Sequence, residues 1–283
     1  MKSFPSISSQ IDEKKINKVI QKKFALLSSY YYYFMSNWLI RAYKRYNDID
    51  KFLIIIYLIH KNLIFYRKNA LVIDYESFYK ERTLEIEKIN ISDISHDLKI
   101  PKESVRRKVL DLEKKGSIKK IGKKIFVDKS TFVNAKATDT LKDLSVLLNE
   151  FNKLLKEEKF TDSVFQLEEI TNSIKENFSF CLYQLNKFFF IYLNRWRQEM
   201  KDLETLTVAM LVVLNASENK NFKPSKLSIK SYREEIMGSD TKGVNAMSIS
   251  DITGIPRPTV VRKLKWLIDE NFLIMNNLSL IHI

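Results

Sequence analysis

Residues 90–118 read NISDISHDLKIPKESVRRKVLDLEKKGSI, and residues 245–273 read NAMSISDITGIPRPTVVRKLKWLIDENFL. The two stretches align without a gap at an offset of 155. They pair Ile94 with Ile249, Ser95 with Ser250, Ile100 with Ile255, Pro101 with Pro256, Val105 with Val260, Arg107 with Arg262, Lys108 with Lys263 and Leu112 with Leu267. Conservative pairs fill the intervals, among them Ser104/Thr259, Val109/Leu264 and Ile118/Leu273. A long self-match at one fixed spacing is the signature of an internal repeat. Upstream the match weakens: Phe52–Ile59 falls opposite Thr207–Leu214, and Ser77–Glu81 opposite Ser231–Glu235 at an offset of 154.

Each copy carries the punctuation of two helices meeting at a tight turn. In the second copy, Ala246–Thr253 predicts a short helix with Ile249 and Ile252 turned inward. Gly254 permits a left-handed turn, Ile255 plugs the core, and Pro256 stands at the next helix start, where its missing N–H costs nothing. The following helix is expected over Arg257–Asn271. Val260, Leu264, Leu267 and Ile268 fall on one stripe, which leaves Arg257, Thr259, Val261, Arg262 and Lys265 outward. The first copy repeats this, with Ser92 as N-cap, Ile94 and Leu98 inward, and Ile100-Pro101 leading into a helix over Lys102–Lys115. There Val105, Val109 and Leu112 form the inner stripe, and Lys102, Ser104, Arg106 and Arg107 face outward.

A hairpin signal follows each second helix. Residues 117–127, SIKKIGKKIFV, place strand-like runs on either side of Gly122, with Lys119, Lys120, Lys123 and Lys124 among them. Residues 272–283, FLIMNNLSLIHI, place Asn276-Asn277 between apolar runs. Helix, turn, helix and hairpin is the order of a winged helix.

The segment from Ser250 to Leu264, SDITGIPRPTVVRKL, resembles the helix-turn-helix core of bacterial winged-helix transcriptional regulators, the multiple-antibiotic-resistance regulator (MarR) type most of all. The resemblance covers about 40 residues of each half. It implies double-stranded DNA as partner, a recognition helix in the major groove and a wing on the backbone. By that resemblance the DNA-binding residues are Lys102, Ser104, Arg106, Arg107, Lys119, Lys120, Lys123 and Lys124 in the first half and Arg257, Thr259, Arg262 and Lys265 in the second. Members of that family work as homodimers of single-wing chains. The repeat here therefore suggests a pseudo-dimeric monomer, with a homodimer as the alternative. The long segments near 66–90 and 217–244 depart from the family pattern.

The expected architecture is mainly α: tandem winged helix-turn-helix domains, each a three-helix core plus a small hairpin wing, related by pseudo-two-fold symmetry. Long aromatic helices would pack the halves together. The first unit with its N-terminal packing helix is placed at 1–137, a helical connector at 138–177, and the second unit with its packing helix at 178–283. Two aromatic segments supply the packing helices: Tyr30–Phe34 with Trp38, and Phe188–Phe190 with Tyr192 and Trp196. Core packing explains them better than the alternative, a pocket between them for a small-molecule effector.

Charge supports an anionic partner. The net charge is +14 with 48 Lys/Arg against 34 Asp/Glu, and residues 99–129 alone hold 12 cations and 4 anions. Only five glycines occur, too few for the glycine-dependent turns of doubly wound α/β folds. Phe24–Ile40 is uncharged but contains serines, Asn37 and four consecutive tyrosines, a poor membrane span. A lone cysteine, Cys181, and no apolar leader predict a cytoplasmic protein. His60, His96 and His282 lack metal-ligand spacing, and no nucleotide-binding, zinc-protease or nucleophile-elbow motif is found. No metal, no cofactor and no enzymatic activity are therefore expected. The function expected is sequence-specific DNA binding in transcriptional control. Its rivals are a plasmid-type replication initiator with tandem winged helices and a winged-helix protein-interaction scaffold.

Overall fold

The computed structural model describes residues 12–86, 90–122, 124–130, 137–217, 243–275 and 281–282, together with positions 229, 231, 232 and 234. The protein is mainly helical, with a small three-stranded antiparallel sheet. It divides into two compact units. Unit 1 gathers residues 42–138 and 172–203; unit 2 gathers 7–41, 139–171 and 204–283.

Unit 1 is built around α2 (Ile49–Lys68). Asp48 caps it, its carboxylate accepting from the Lys51 N–H at 3.2 Å. Every residue from Phe52 to His60 is buried, so that stretch of the helix is covered around its circumference, while Lys61, Phe65, Arg67 and Lys68 nearer its end are exposed. Next come α3 (Tyr75–Lys80), β1 (Thr83–Ile86), α4 (Ile91–Leu98), α5 (Lys102–Lys114), β2 (Ile118–Ile121) and β3 (Lys124–Asp128). The strands pair in the order β1-β3-β2, with Leu84 opposite Val127 and Ile118 opposite the same Val127. Leu84, Ile86, Ile118, Ile125 and Val127 are buried: alternate residues of β1 and β3 and the first residue of β2 turn to the core. The sequence reading has no strand at β1; it lies in the 66–90 segment that departs from the expected pattern.

The last element of unit 1 is a helix from Phe178 to Glu199, which runs antiparallel to α2. Tyr183 stacks on His60 at 4.8 Å, Phe190 meets Tyr57 at 6.2 Å, and Arg197 pairs with Asp50 at 2.5 Å. Ser179 and Ile73 exchange two hydrogen bonds of 2.9 Å and fix its start. Phe178 packs edge-on against Phe78 of α3, with ring centres 5.2 Å apart.

Unit 2 begins with α1, a helix (Glu13–Tyr46) interrupted at Lys23, whose backbone is non-helical at φ −118° and ψ 15°. Its residues up to Arg41 lie along α6 (Ala137–Glu157) in the antiparallel sense, since Lys22 bonds Glu158 at 2.8 Å and Arg41 bonds Asp143 at 2.8 Å. Val19 and Leu27 pack with Leu154 and Leu155 between those ends. Phe24 stands edge-on to Tyr232 at 5.4 Å. A short helix, α7 (Leu167–Glu176), links onward to the helix at 178–199, which takes the label α8. Then follow α9 (Leu203–Ser217), α10 (Ala246–Thr253), α11 (Arg257–Asp269) and the two-residue strands β4 (Ile274–Met275) and β5 (Ile281–His282). Ile274 pairs with His282, and Met275 with Ile281. The expected Asn276-Asn277 turn lies outside the described residues.

The compact units differ from the sequence-based boundaries at both packing helices. Most of α1 belongs with residues 204–283, and α8 belongs with residues 42–138. Of the aromatic segments, Phe34 and Trp38, which fall in unit 2, and Phe189, which falls in unit 1, are buried, while Tyr33 and Phe188 are exposed.

Two local expectations are corrected. The N-cap of α4 is Asn90 rather than Ser92; its amide oxygen accepts from the Ser92 N–H at 3.0 Å, and the helix begins at Ile91. An extended Asn reaches forward two residues to an orphan amide, which Ser92, already inside the helix, cannot do. Ile252 does not point inward: it is 49% exposed, and Thr253 at 0% fills that place. With Ile249 in the core, the fourth residue on lies only about 40° round the helix, while the third lies about 60° the other way. Thr253 offsets its polar cost locally, its hydroxyl donating to the Ile249 carbonyl at 2.7 Å and accepting from the Ile255 N–H at 3.0 Å.

Candidate nucleic-acid interface

The turn between α4 and α5 is built from bonds within eleven residues. Lys99 closes α4 in the left-handed region at φ 55°, the Ser95 hydroxyl donates to the Ile100 carbonyl at 2.7 Å, and Ile100 is buried. Pro101, at φ −53° and ψ 136°, then launches α5. Between α10 and α11 the same parts recur at an offset of 155. Gly254 sits at φ 74°, Ser250 donates to the Ile255 carbonyl at 2.8 Å, Ile255 is buried, and Pro256 has φ −53° and ψ 134°. The caps match too, Asn90 at one end and Asn245 at the other. The helix exits also match, with Gly116 at φ 72° and Asn271 at φ 60°.

A tether under each second helix repeats as well. The Lys108 ammonium bonds Asp48 and lies 3.6 Å from Asp50, both at the start of α2. The Lys263 ammonium lies 3.2 Å from the Thr205 hydroxyl, at the start of α9. Both lysines therefore brace their helix from beneath. In unit 1, Lys51 adds a second brace at 2.5 Å from Asp111, and it holds that carboxyl below the usual carboxylate range.

The outward residues of α5 are Lys102, Arg106 and Arg107, all exposed. Arg106 pairs with Glu103 at 3.0 Å across one helical turn; both are well solvated, so the pair is weak and exchangeable. Lys102 and Arg107 have no polar partner among the described residues. Ser104 is half-buried at the shoulder of the helix, and so is Thr259 in α11. Arg257, Arg262 and Lys265 of α11 are exposed, again without a polar partner among the described residues.

On β2, Lys119 and Lys120 are exposed, and Lys120 lies 3.2 Å from Glu113 of α5. Lys124 of β3 is exposed and bonds Glu85 of β1 at 2.6 Å. Lys123 lies outside the described residues. Unit 1 therefore gathers exposed cations on one helix and one hairpin, linked through Glu113. The matching hairpin positions of unit 2 carry none.

Sequence reading missed a cleft of about 400 Å³ in unit 1, where α2, α4 and α8 meet. Tyr57, His60, Lys61, Asp97, Lys99 and Phe190 line it. Tyr57 donates to Asp97 at 2.7 Å, and the Asn194 amide donates to the Asp97 carbonyl at 2.7 Å. Burial, helped by Lys61 and Lys187, pushes His60 down to about 4. Nothing in the local sequence announces this cleft, because its walls are 97 positions apart between Asp97 and Asn194. Burial also pushes the Cys181 thiol up to about 11, away from nucleophilic use.

Among the described residues no group of three or more His, Cys, Asp or Glu gathers as a metal site, and no helix is long and apolar enough to cross a membrane. Compared with known proteins, the chain matches no family model, no curated protein and no solved structure.

Proposed function

We propose that the chain is a sequence-specific binder of double-stranded DNA that acts as a transcriptional regulator through two winged-helix units arisen by duplication. The observation that carries this reading is the α4–turn–α5 unit: it is followed at once by the lysine-bearing β2–β3 hairpin, and exposed cations line its second helix. A short bracing helix, an exposed cationic helix and a hairpin closed on a third strand are the parts that place one helix in the major groove and one wing on the backbone.

The repeated cap, turn, exit and lysine tether at one offset support duplication. The aromatic helices support it in a second way. Phe24 of α1 meets Tyr232, and Phe178 of α8 meets Phe78, at an offset of 154 in both members of the pair. In this reading each packing helix serves the opposite copy's core. The cleft beside Lys99 is the place for a small-molecule effector, since a ligand there touches the last turn of α4.

Phosphate neutralisation makes the expected affinity fall steeply with salt. The test is a mobility-shift titration of Arg106→Ala combined with Arg107→Ala. A loss of about 1–3 kcal/mol for each base contact removed is expected. Unchanged binding takes unit 1 out of the mechanism, and absence of any DNA affinity at low salt favours the interaction scaffold instead.

A further inference from the structure

The two units share their turn, caps and tethers but not their exposed chemistry. Along α5 the outward row is Lys102, Arg106 and Leu110; along α11 the same row is Arg257, Val261 and Lys265. Each residue is four positions from the next, so each row lies along one helix face. Leu110 is 43% exposed and Val261 49% exposed. Unit 1 thus presents cation, cation, apolar; unit 2 presents cation, apolar, cation. Arg107 and Arg262 stand at the same place in both. On the hairpins, Lys119 and Lys120 of unit 1 give way to Ile274 and Met275, which are 56% and 57% exposed.

We infer that the two units read unlike base sequences, so that the recognised duplex is two different half-sites rather than an inverted repeat; this rests on the proposed DNA-binding function. Arginine in the major groove pairs with guanine through O6 and N7, whereas an aliphatic side chain packs on the thymine methyl. At the middle position of the row, Arg106 therefore selects guanine and Val261 selects thymine. The apolar residue of unit 1, Leu110, is displaced from that place by four residues, about 6 Å along the helix axis, or close to two base steps. The hairpins sharpen the difference. Lys119 and Lys120 neutralise phosphates and anchor the guanine-bearing half, while Ile274 and Met275 add no charge to the thymine-bearing half.

The experiment is selection of duplexes from a random pool by the intact chain, followed by titration of the winning duplex. Two unlike half-sites are expected. Replacing the critical thymine by deoxyuridine, which removes only the methyl, should weaken binding roughly tenfold. Val261→Ala should abolish that sensitivity, and Val261→Arg should move the preference at that base to guanine. Selection of an inverted repeat, or a deoxyuridine effect that survives Val261→Ala, overturns the inference while leaving DNA binding in place. Failure of the chain to bind any duplex at low salt removes the proposed function, and the inference falls with it.

Discussion

Residues 90–118 and 245–273 differ more in what they expose than in how they are built. Beneath the surface, an Asn cap, a left-handed residue, a serine bonded to the carbonyl five positions on, a buried isoleucine and a proline recur in the same places. Above it, one segment is crowded with cations and the other mixes cations with exposed Met247, Ile252 and Val261. A short-range hydrogen-bond pattern fixes a backbone geometry whatever the solvent face carries, so the two layers of information vary independently.

The largest effect should be shared by both segments. Leu112 and Leu267 are each fully buried at the same depth of their helix. Leu112→Ala and Leu267→Ala should each cost about 2–5 kcal/mol by chemical denaturation. A much smaller cost at one of them breaks the structural half of the comparison.

His60 should give unit 1 an acid-sensitive contribution that the matching position of unit 2 lacks. His60 is neutral in the fold, titrating at about 4, against an ordinary value near 6.5. The unfolded chain then binds a proton that the folded chain does not. The stability it confers is complete above about pH 6.5 and is lost as pH falls towards 4, an effect of order 1–2 kcal/mol after allowance for solvent in the cleft. The equivalent position of unit 2 is Asn215, which does not titrate. Thermal midpoints measured between pH 4 and 7 should fall less in His60→Asn than in the parent; parallel curves would remove His60 as the cause.

The hairpins differ in charge, and under the proposed function salt dependence reads that difference. Lys119→Ala with Lys120→Ala should lower the slope of log affinity against log salt by about 2. Ile274→Ala with Met275→Ala should leave it unchanged, and equal slopes for the two double variants would erase the distinction between the hairpins.

The smallest effect tests the turn. Lys99 and Gly254 share the left-handed region, but only glycine enters it without a steric penalty. Gly254→Ala should destabilise by about 1 kcal/mol and Lys99→Gly should stabilise by somewhat less. Calorimetry showing the same sign for both would mean the turns are not alike.

Much of this arrangement was legible in the order of residues. Ile94, Leu98, Ile100, Val105, Val109 and Leu112 sit in the core as their spacing requires, and so do Ile249, Ile255, Val260, Leu264 and Leu267. Helical period, capping and a left-handed turn are decided within a few residues, so amino-acid order suffices for them. The misplaced Ile252 shows the limit: its hydrophobicity argues for the core, but helix geometry gives that place to Thr253, whose hydroxyl is satisfied within the same turn.

Tertiary structure alone decided three things. It set β1 against β3, an antiparallel pairing that runs from Thr83 with Asp128 to Ile86 with Ile125, far apart in the chain. It closed the cleft between α2, α4 and α8. It also sent α1 and α8 to partners that their neighbours in the chain do not name, placing Phe24 on Tyr232 and Phe178 on Phe78. Aromatic burial has no direction along the chain: an apolar helix states that it must be covered, but not by what. Only packing of the whole molecule selects the surface that covers it.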